Sequence, residues 1–432
     1  MSDETVNPVK RIPSIDRFRG FVVFCMIVFQ FAEHFLALGV ISRLAVHAPN
    51  ENAVYILPNL ALADLIAPAF ILAIGLTYLP SLRRRTEKYG RKQAVLHFVK
   101  RYLILIGIGV TMDGVNDILD GKWDQPLPLM FIVLTLLVLV LSIVGLILKL
   151  AKVRSRAKYY NVLGWYVAFV GVVGLVVAFV NAVMLVTGRT ASSFGHWVVL
   201  QHIGFAGLIA LPFALLEGKK GHWLRLVCGT LMLALYAVFH EGDLANDLFA
   251  SNRELIDEVA DGGFIGGFAF GAMLILYLFF AEEFRSRKHR YLPPLALGVL
   301  GIAVAGVIAG VYLTLPETDS YAGALSSFLP INKGSESPSY VLISGFISLF
   351  AFYIFELFNG VSLAFDPLAW WGKNPILLYC VEFAVIGALN VALEDTFKAA
   401  STPVAAIIVL AVASALTFTA YLLNKKNIVI KL

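Results

Sequence analysis

Charge is scarce in this chain: Asp, Glu, Lys and Arg make up 15% of its 432 residues, against about 25% in a soluble domain. That scarcity excludes a water-soluble globule, and no nucleic-acid partner is expected. Cysteine is rarer still. Cys25, Cys228 and Cys380 all fall in apolar runs, where thiols are poor disulfide partners and read as small hydrophobes. Neither a redox role nor a metal site follows from them. Blocks of about ten residues alternating apolar and polar are also missing, which excludes a membrane β-barrel. The polar opening MSDETVNPVKRIPSIDRFRG is too long ahead of the first apolar run for a cleavable signal peptide. The first span is therefore expected to stay in place.

What fills the chain instead is hydrocarbon: 59% hydrophobic residues and a mean hydropathy of +0.81. Apolar runs of about 20 residues, long enough to cross a ~30 Å core, recur throughout. They predict twelve spans at 19–40, 58–80, 98–117, 127–150, 161–187, 196–216, 224–241, 263–282, 291–314, 338–358, 374–393 and 402–423. The expected fold is an all-α polytopic, multi-pass membrane protein with one transmembrane domain at 19–423. Residues 1–18 precede it, and a tail at 424–432 follows. Of 34 Lys and Arg, all but Arg43, Lys122, Arg189, Arg253, Lys333 and Lys398 fall on the side of the termini. The positive-inside rule then places both termini in the cytoplasm, and a plasma or cytoplasmic membrane is expected. The opposite side is acidic. Asp113, Asp117, Asp120 and Asp124 are expected in one outer loop, with seven carboxylates between Glu241 and Asp261. They read either as solvated loops or as a field that selects cationic acceptors.

Polar residues inside the spans are the next signal, because a charge at the bilayer centre costs about 2.5–3.5 kcal/mol on insertion scales. In FCMIVFQFAEHF (24–35), Gln30 and His34 are i, i+4 and Glu33 is one position off, so the three share a helix face. Gln30 is eleven residues past Arg19, about 16 Å along a helix and so near the midplane. Asp64, His202, His240, Glu241, Glu356, Glu382 and Asn390 also sit within or at the ends of spans. Each could merely bond across helices. Together they suit an anionic ligand that enters from inside, or a proton path.

Five segments carry a resemblance. RIPSIDRFRGFVVFCMIVFQ (11–30), ADLIAPAFILAIG (63–75), LQHIG (200–204), PINK with a following SY (330–340) and GKNPILLY (372–379) are similar, in order, to segments of the heparan-α-glucosaminide N-acetyltransferase family. The resemblance implies a transmembrane acyltransferase that takes an acetyl or short acyl group from cytosolic acetyl-CoA to a sugar or glycan beyond the membrane. It implies ten family-like spans, with 127–187 as an added helical hairpin, and no metal. His47-Ala48 matches the start of the segment bearing the family's catalytic histidine. Gln30 stands where the family has an assisting Asn, and where related O-acyltransferases of the O-antigen type have a histidine eleven residues after an arginine. Asp16, Arg19, Asn332, Lys333, Lys373 and Asn374 are the expected donor-binding residues. A homodimer is a further possibility.

The sequence departs from the family at several points: the stretch between His47 and Asp64 is longer, the tryptophan after His47-Ala48 is absent, Ser335-Glu336 replaces Leu-Trp after PINK, and His202 replaces an Arg. Acyl transfer from a thioester needs a base for the acceptor and donors for the oxyanion. Histidine suits the base. His47 is the first candidate and His34 the second, with Asp64 to orient either imidazole and Gln30 as an amide donor. The basic stretch 83–101 could meet CoA phosphates, though positive-inside topology explains it equally. Two rivals remain: a proton-coupled transporter or flippase, and an acyltransferase-like scaffold without catalysis.

Overall fold

The computed structural model describes residues 12–33, 43–44, 46–47, 54–57, 60–151, 156–186, 197, 199–241, 263–314, 331, 333–334, 336–361, 363, 365–399 and 401–428. Thirteen α-helices lie among them: α1 Pro13–Glu33, α2 Ile66–Tyr89, α3 Arg91–Leu119, α4 Pro126–Leu150, α5 Arg156–Val186, α6 Val199–Ala214, α7 Gly218–Glu241, α8 Gly263–Ser286, α9 Leu292–Thr314, α10 Pro338–Leu357, the short α11 Pro367–Trp371, α12 Pro375–Ala399 and α13 Thr402–Lys425. Eight are long and apolar enough to cross a membrane, and shorter apolar stretches lie in α6, α9 and α12. The protein is an all-α polytopic integral membrane protein. The twelve long helices coincide with the twelve predicted spans. Proline opens α4, α10 and α11, where its missing N–H costs no hydrogen bond. The turn between α2 and α3 is Gly90 alone, at φ 81, a conformation that glycine adopts without strain.

Helices α2 and α8 are the most buried spans and α13 the least. The main core runs from α1 through α2, α3, α6, α8, α10, α11 and α12 to α13. A second cluster joins the outer flank of α3 to α4 and α5. So the hairpin expected at 127–187 packs as a separate lobe against α3. Two helix crossings have no room for side chains. A Cβ on Gly107 would run into the Val167 carbonyl, and one on Gly171 into that of Leu103. Likewise Gly20 lies against the Leu368 carbonyl, and Gly372 against that of Asp16. Small residues that allow such close approach are a regular means of association in lipid.

Two ends can be distinguished. At one, Ser14 Oγ donates to Glu356 Oε2 at 2.5 Å, so the start of α1 meets the end of α10. Phe284 packs on Phe352, which brings the end of α8 there too. This end is basic: Arg83 and Arg225 pair with Glu282, and Arg287 with Glu283. The other end holds the start of α2 and of α10, where Tyr340 O–H donates to the Asp64 carbonyl at 2.8 Å. Tyr340 and Glu356 are sixteen residues apart on α10, so about 24 Å separates the two ends.

The structure corrects two expectations about the acidic outer loop. Asp113 and Asp117 lie within α3 and are buried. The helix outlasts its apolar run because these carboxylates have partners in Gln201 and Lys122. Of the four, only Asp120 and Asp124 lie beyond α3. Lys122 bridges Asp120 and Asp117, and those bonds, Asp120 foremost, raise its pKa above the ordinary lysine value. The carboxylates at 242–261 lie outside the described residues.

Candidate functional site

The far end is built around a short antiparallel strand pair, Tyr55–Leu57 with Leu60–Ala61, followed by a 3-10 turn at Ala63–Leu65. The turn points the Asp64 side chain inward, where it is fully buried. Its Oδ2 accepts the Ala61 N–H at 2.8 Å. Its Oδ1 lies 2.7 Å from His47 Nδ1. A carboxylate only accepts, so Nδ1 carries the hydrogen and Nε2 offers the lone pair, an assignment made from the bonding network. The His47 side chain is 45% exposed and that of Asp64 0%. One imidazole nitrogen is thus anchored and the ring still open to an incoming molecule. His47 and Asp64 are thus in contact, the arrangement that an orienting carboxylate would need.

A second polar group adjoins the first through the 336–340 turn. Ser337 Oγ caps α10 by accepting the Tyr340 N–H at 3.2 Å. One residue earlier, Glu336 is buried at φ 51, and its Oε1 lies 4.0 Å from His202 Nε2. His202 Nε2 also bonds the Gly263 carbonyl at 2.8 Å. Glu336 and His202 are two of the departures from the family segments, and they face one another. Beside them Gln201 donates to Asp113 Oδ2 at 2.5 Å, tying α6 to α3.

Gln30 stands elsewhere. With its NH₂ oriented to the carboxylate, it donates to Glu382 Oε1 and Oε2 at 2.9 and 3.0 Å, and it hydrogen-bonds Tyr379. Glu382 is fully buried. The amide donors expected for an oxyanion are therefore engaged by α12. His34 and Asn332 lie outside the described residues, as does the Glu33 side chain.

The expected donor-binding residues divide between the two ends. Lys333 is at the far end, where its carbonyl accepts the Glu336 N–H at 3.0 Å. Asp16, Arg19, Lys373 and Asn374 are at the basic end, and each has a packing role there. Arg19 pairs with Asp16 at 2.6 Å, Lys373 with Asn424, and Asn374 Nδ2 donates to the Ile428 carbonyl at 3.0 Å. These residues do not form one donor site. Sequence reasoning missed Arg17, which is buried and grips Asp366 and the carbonyls of Phe358 and Val361. It also missed Tyr340 and Tyr379. The SY and GKNPILLY segments contain both tyrosines, so a signal was present. Among the described residues no cluster of His, Cys, Asp or Glu could hold a metal ion. Comparison with protein families and with curated proteins finds no match for this chain.

Proposed function

We propose that the protein is a transmembrane acyltransferase that moves an acetyl or other short acyl group from cytosolic acyl-CoA to an extracytoplasmic sugar or glycan. The observation that carries this reading is the His47–Asp64 pair, with the carboxylate buried and the imidazole half exposed. In the proposed reaction His47 Nε2 takes the proton from the acceptor's O–H or N–H. The acceptor oxygen or nitrogen bonds to the thioester carbonyl, the C–S bond breaks, and the proton passes to the departing thiolate. Asp64 holds the ring in the required tautomer and stabilises the imidazolium. The basic end supplies cations for the CoA phosphates, and Arg19 remains 21% exposed there. In this reading the basic end faces the cytoplasm and the membrane is the plasma or cytoplasmic one.

Orientation is checked by labelling introduced cysteines in intact cells. Positions in 41–57 and 315–337 should react with an impermeant reagent and positions in 83–92 should not; labelling of 83–92 would reverse the donor side. Function is checked in proteoliposomes with acetyl-CoA on the basic side and amino sugars on the other. Acylated sugar should form, and Asp64→Asn should lower its rate by about 10²-fold or more, since the amide selects the wrong tautomer.

A second reading, a proton-coupled transporter, is favoured by the Glu382–Gln30–Tyr379 group, formed by the last turn of α1 and the first two turns of α12, because ionisable residues buried within spans mark proton relays. A proton flux with no acyl transfer in the same vesicles would select it. Neither activity would leave a scaffold without catalysis.

A further inference from the structure

Helix α3, the α4–α5 hairpin and α12 enclose a groove of about 1240 Å³. Pockets for small ligands run to about 1,000 Å³. His97, Lys100 and Arg101 line one end, and Ile108, Met112, Val138 and Phe383 are among its apolar walls. The lining continues to Leu119, nineteen residues past Lys100 and so about 28 Å away. That is nearly the whole ~30 Å hydrocarbon core. Leu139 and Tyr160 on the walls are 39% and 40% exposed, so the groove opens sideways.

The three basic residues differ from Arg83, Arg225 and Arg287 at the same end. Arg83, Arg225 and Arg287 each pair with Glu282 or Glu283. Among the described residues no carboxylate pairs with His97, Lys100 or Arg101. Lys100 Nζ is steered by Asn161 Oδ1 at 2.7 Å and by the Trp165 ring at 4.6 Å. Arg101 Nε is buried with no hydrogen-bond partner among the described residues. A buried donor in that state favours an anion.

An occupant must therefore bring an anionic head to this end and hydrocarbon to the remainder. An acyl-CoA suits it poorly, because the amides of its carrier arm would lie against apolar walls without partners. Thr111, one of the few polar side chains on those walls, already donates to the Gly107 carbonyl. A phospholipid chain reaches only across its own leaflet, about half the groove. We propose that the groove holds a polyisoprenoid phosphate, with the phosphate between His97, Lys100 and Arg101 and the chain running along α3 past the midplane. The hairpin at 127–187 then has a purpose, since it supplies one wall. This inference does not rest on acyl transfer.

The test is competition against a fluorescent long-chain polyprenyl phosphate, with the full-length protein in phosphatidylcholine nanodiscs. Unlabelled long-chain polyprenyl phosphate should displace it. The matching polyprenol, geranyl phosphate and phosphatidylglycerol should each compete far more weakly. Lys100→Ala or Arg101→Ala should weaken binding about fivefold, and the double variant about thirtyfold, from the attraction of membrane-surface cations for an anionic lipid. Ala384→Trp, which leaves every charge in place, should block the groove. Equal competition by phosphatidylglycerol would overturn the chain-length argument, and equal competition by polyprenol the headgroup argument. Undiminished binding in the charge variants would also overturn the proposal. Should Ala384→Trp fail to elute as a folded protein, the lipid series on the unmodified chain decides.

Discussion

Alanine at position 47 should reduce acyl transfer by about 10²–10⁴-fold, the usual contribution of a general base, while leaving the affinity for acyl-CoA nearly unchanged. The split follows from where His47 stands. Its Nδ1 is held by the buried Asp64 at 2.7 Å, so in the proposed reaction the ring would act on the proton that moves in the transition state and not on the ground-state donor. An interaction present only in the transition state lowers kcat and kcat/KM together. The loss corresponds to about 3–5 kcal/mol of barrier. Stability should change little, because the His47 side chain is 45% exposed and its removal leaves Asp64 with the Ala61 N–H. Initial rates against acyl-CoA concentration, with donor affinity by calorimetry, separate the two quantities. A raised KM at unchanged kcat would make His47 a binding residue. Full activity in His47→Ala beside a folded but inactive His34→Ala would move the role to His34.

The helices were legible because apolar run length translates directly into membrane span, and twelve runs became twelve long helices. Where helices end was less legible. Asp113 and Asp117 fall at the end of the predicted 98–117 span but were expected in the outer loop; α3 contains and buries both, since the partners that make them tolerable come from α6 and from the loop after α3. No local pattern reveals such a partner. The His47–Asp64 pair was legible as two residue types suited to one task. Its geometry depends on a two-residue strand and one 3-10 turn, too short for periodicity to register. The resemblance segments named Arg19 where the structure uses Arg17 as the inward clamp. Which of two neighbouring arginines turns inward is decided by the loop at 358–366, far along the chain. His202 and Glu336 each looked like an isolated departure, and only the fold sets them 4.0 Å apart.

Arg17→Ala should be the most damaging single change at the basic end. The guanidinium donates to Asp366 Oδ2 at 2.6 Å, to the Phe358 carbonyl at 2.7 Å and to the Val361 carbonyl at 2.6 Å. One side chain thus fastens α1 to the whole connection between α10 and α11. Its side chain is 8% exposed and that of Asp366 15%, so water cannot readily replace it. Removing one partner of a buried pair leaves an uncompensated charge and costs about 3–5 kcal/mol. Among the described residues Asp366 would keep only the Ala369 N–H, at 3.1 Å. Arg17→Lys should recover part of the loss, because an ammonium restores the charge but not the planar fork that reaches three acceptors. Thermal unfolding in detergent, followed by the intrinsic fluorescence of Trp370 and Trp371 on α11, measures both variants. The expected order of midpoints is wild type, then Arg17→Lys, then Arg17→Ala well below. An alanine variant as stable as the wild type would mean that the clamp is solvated and that α1 is held by its other contacts, among them Ser14 on Glu356 and the Gly20–Gly372 crossing.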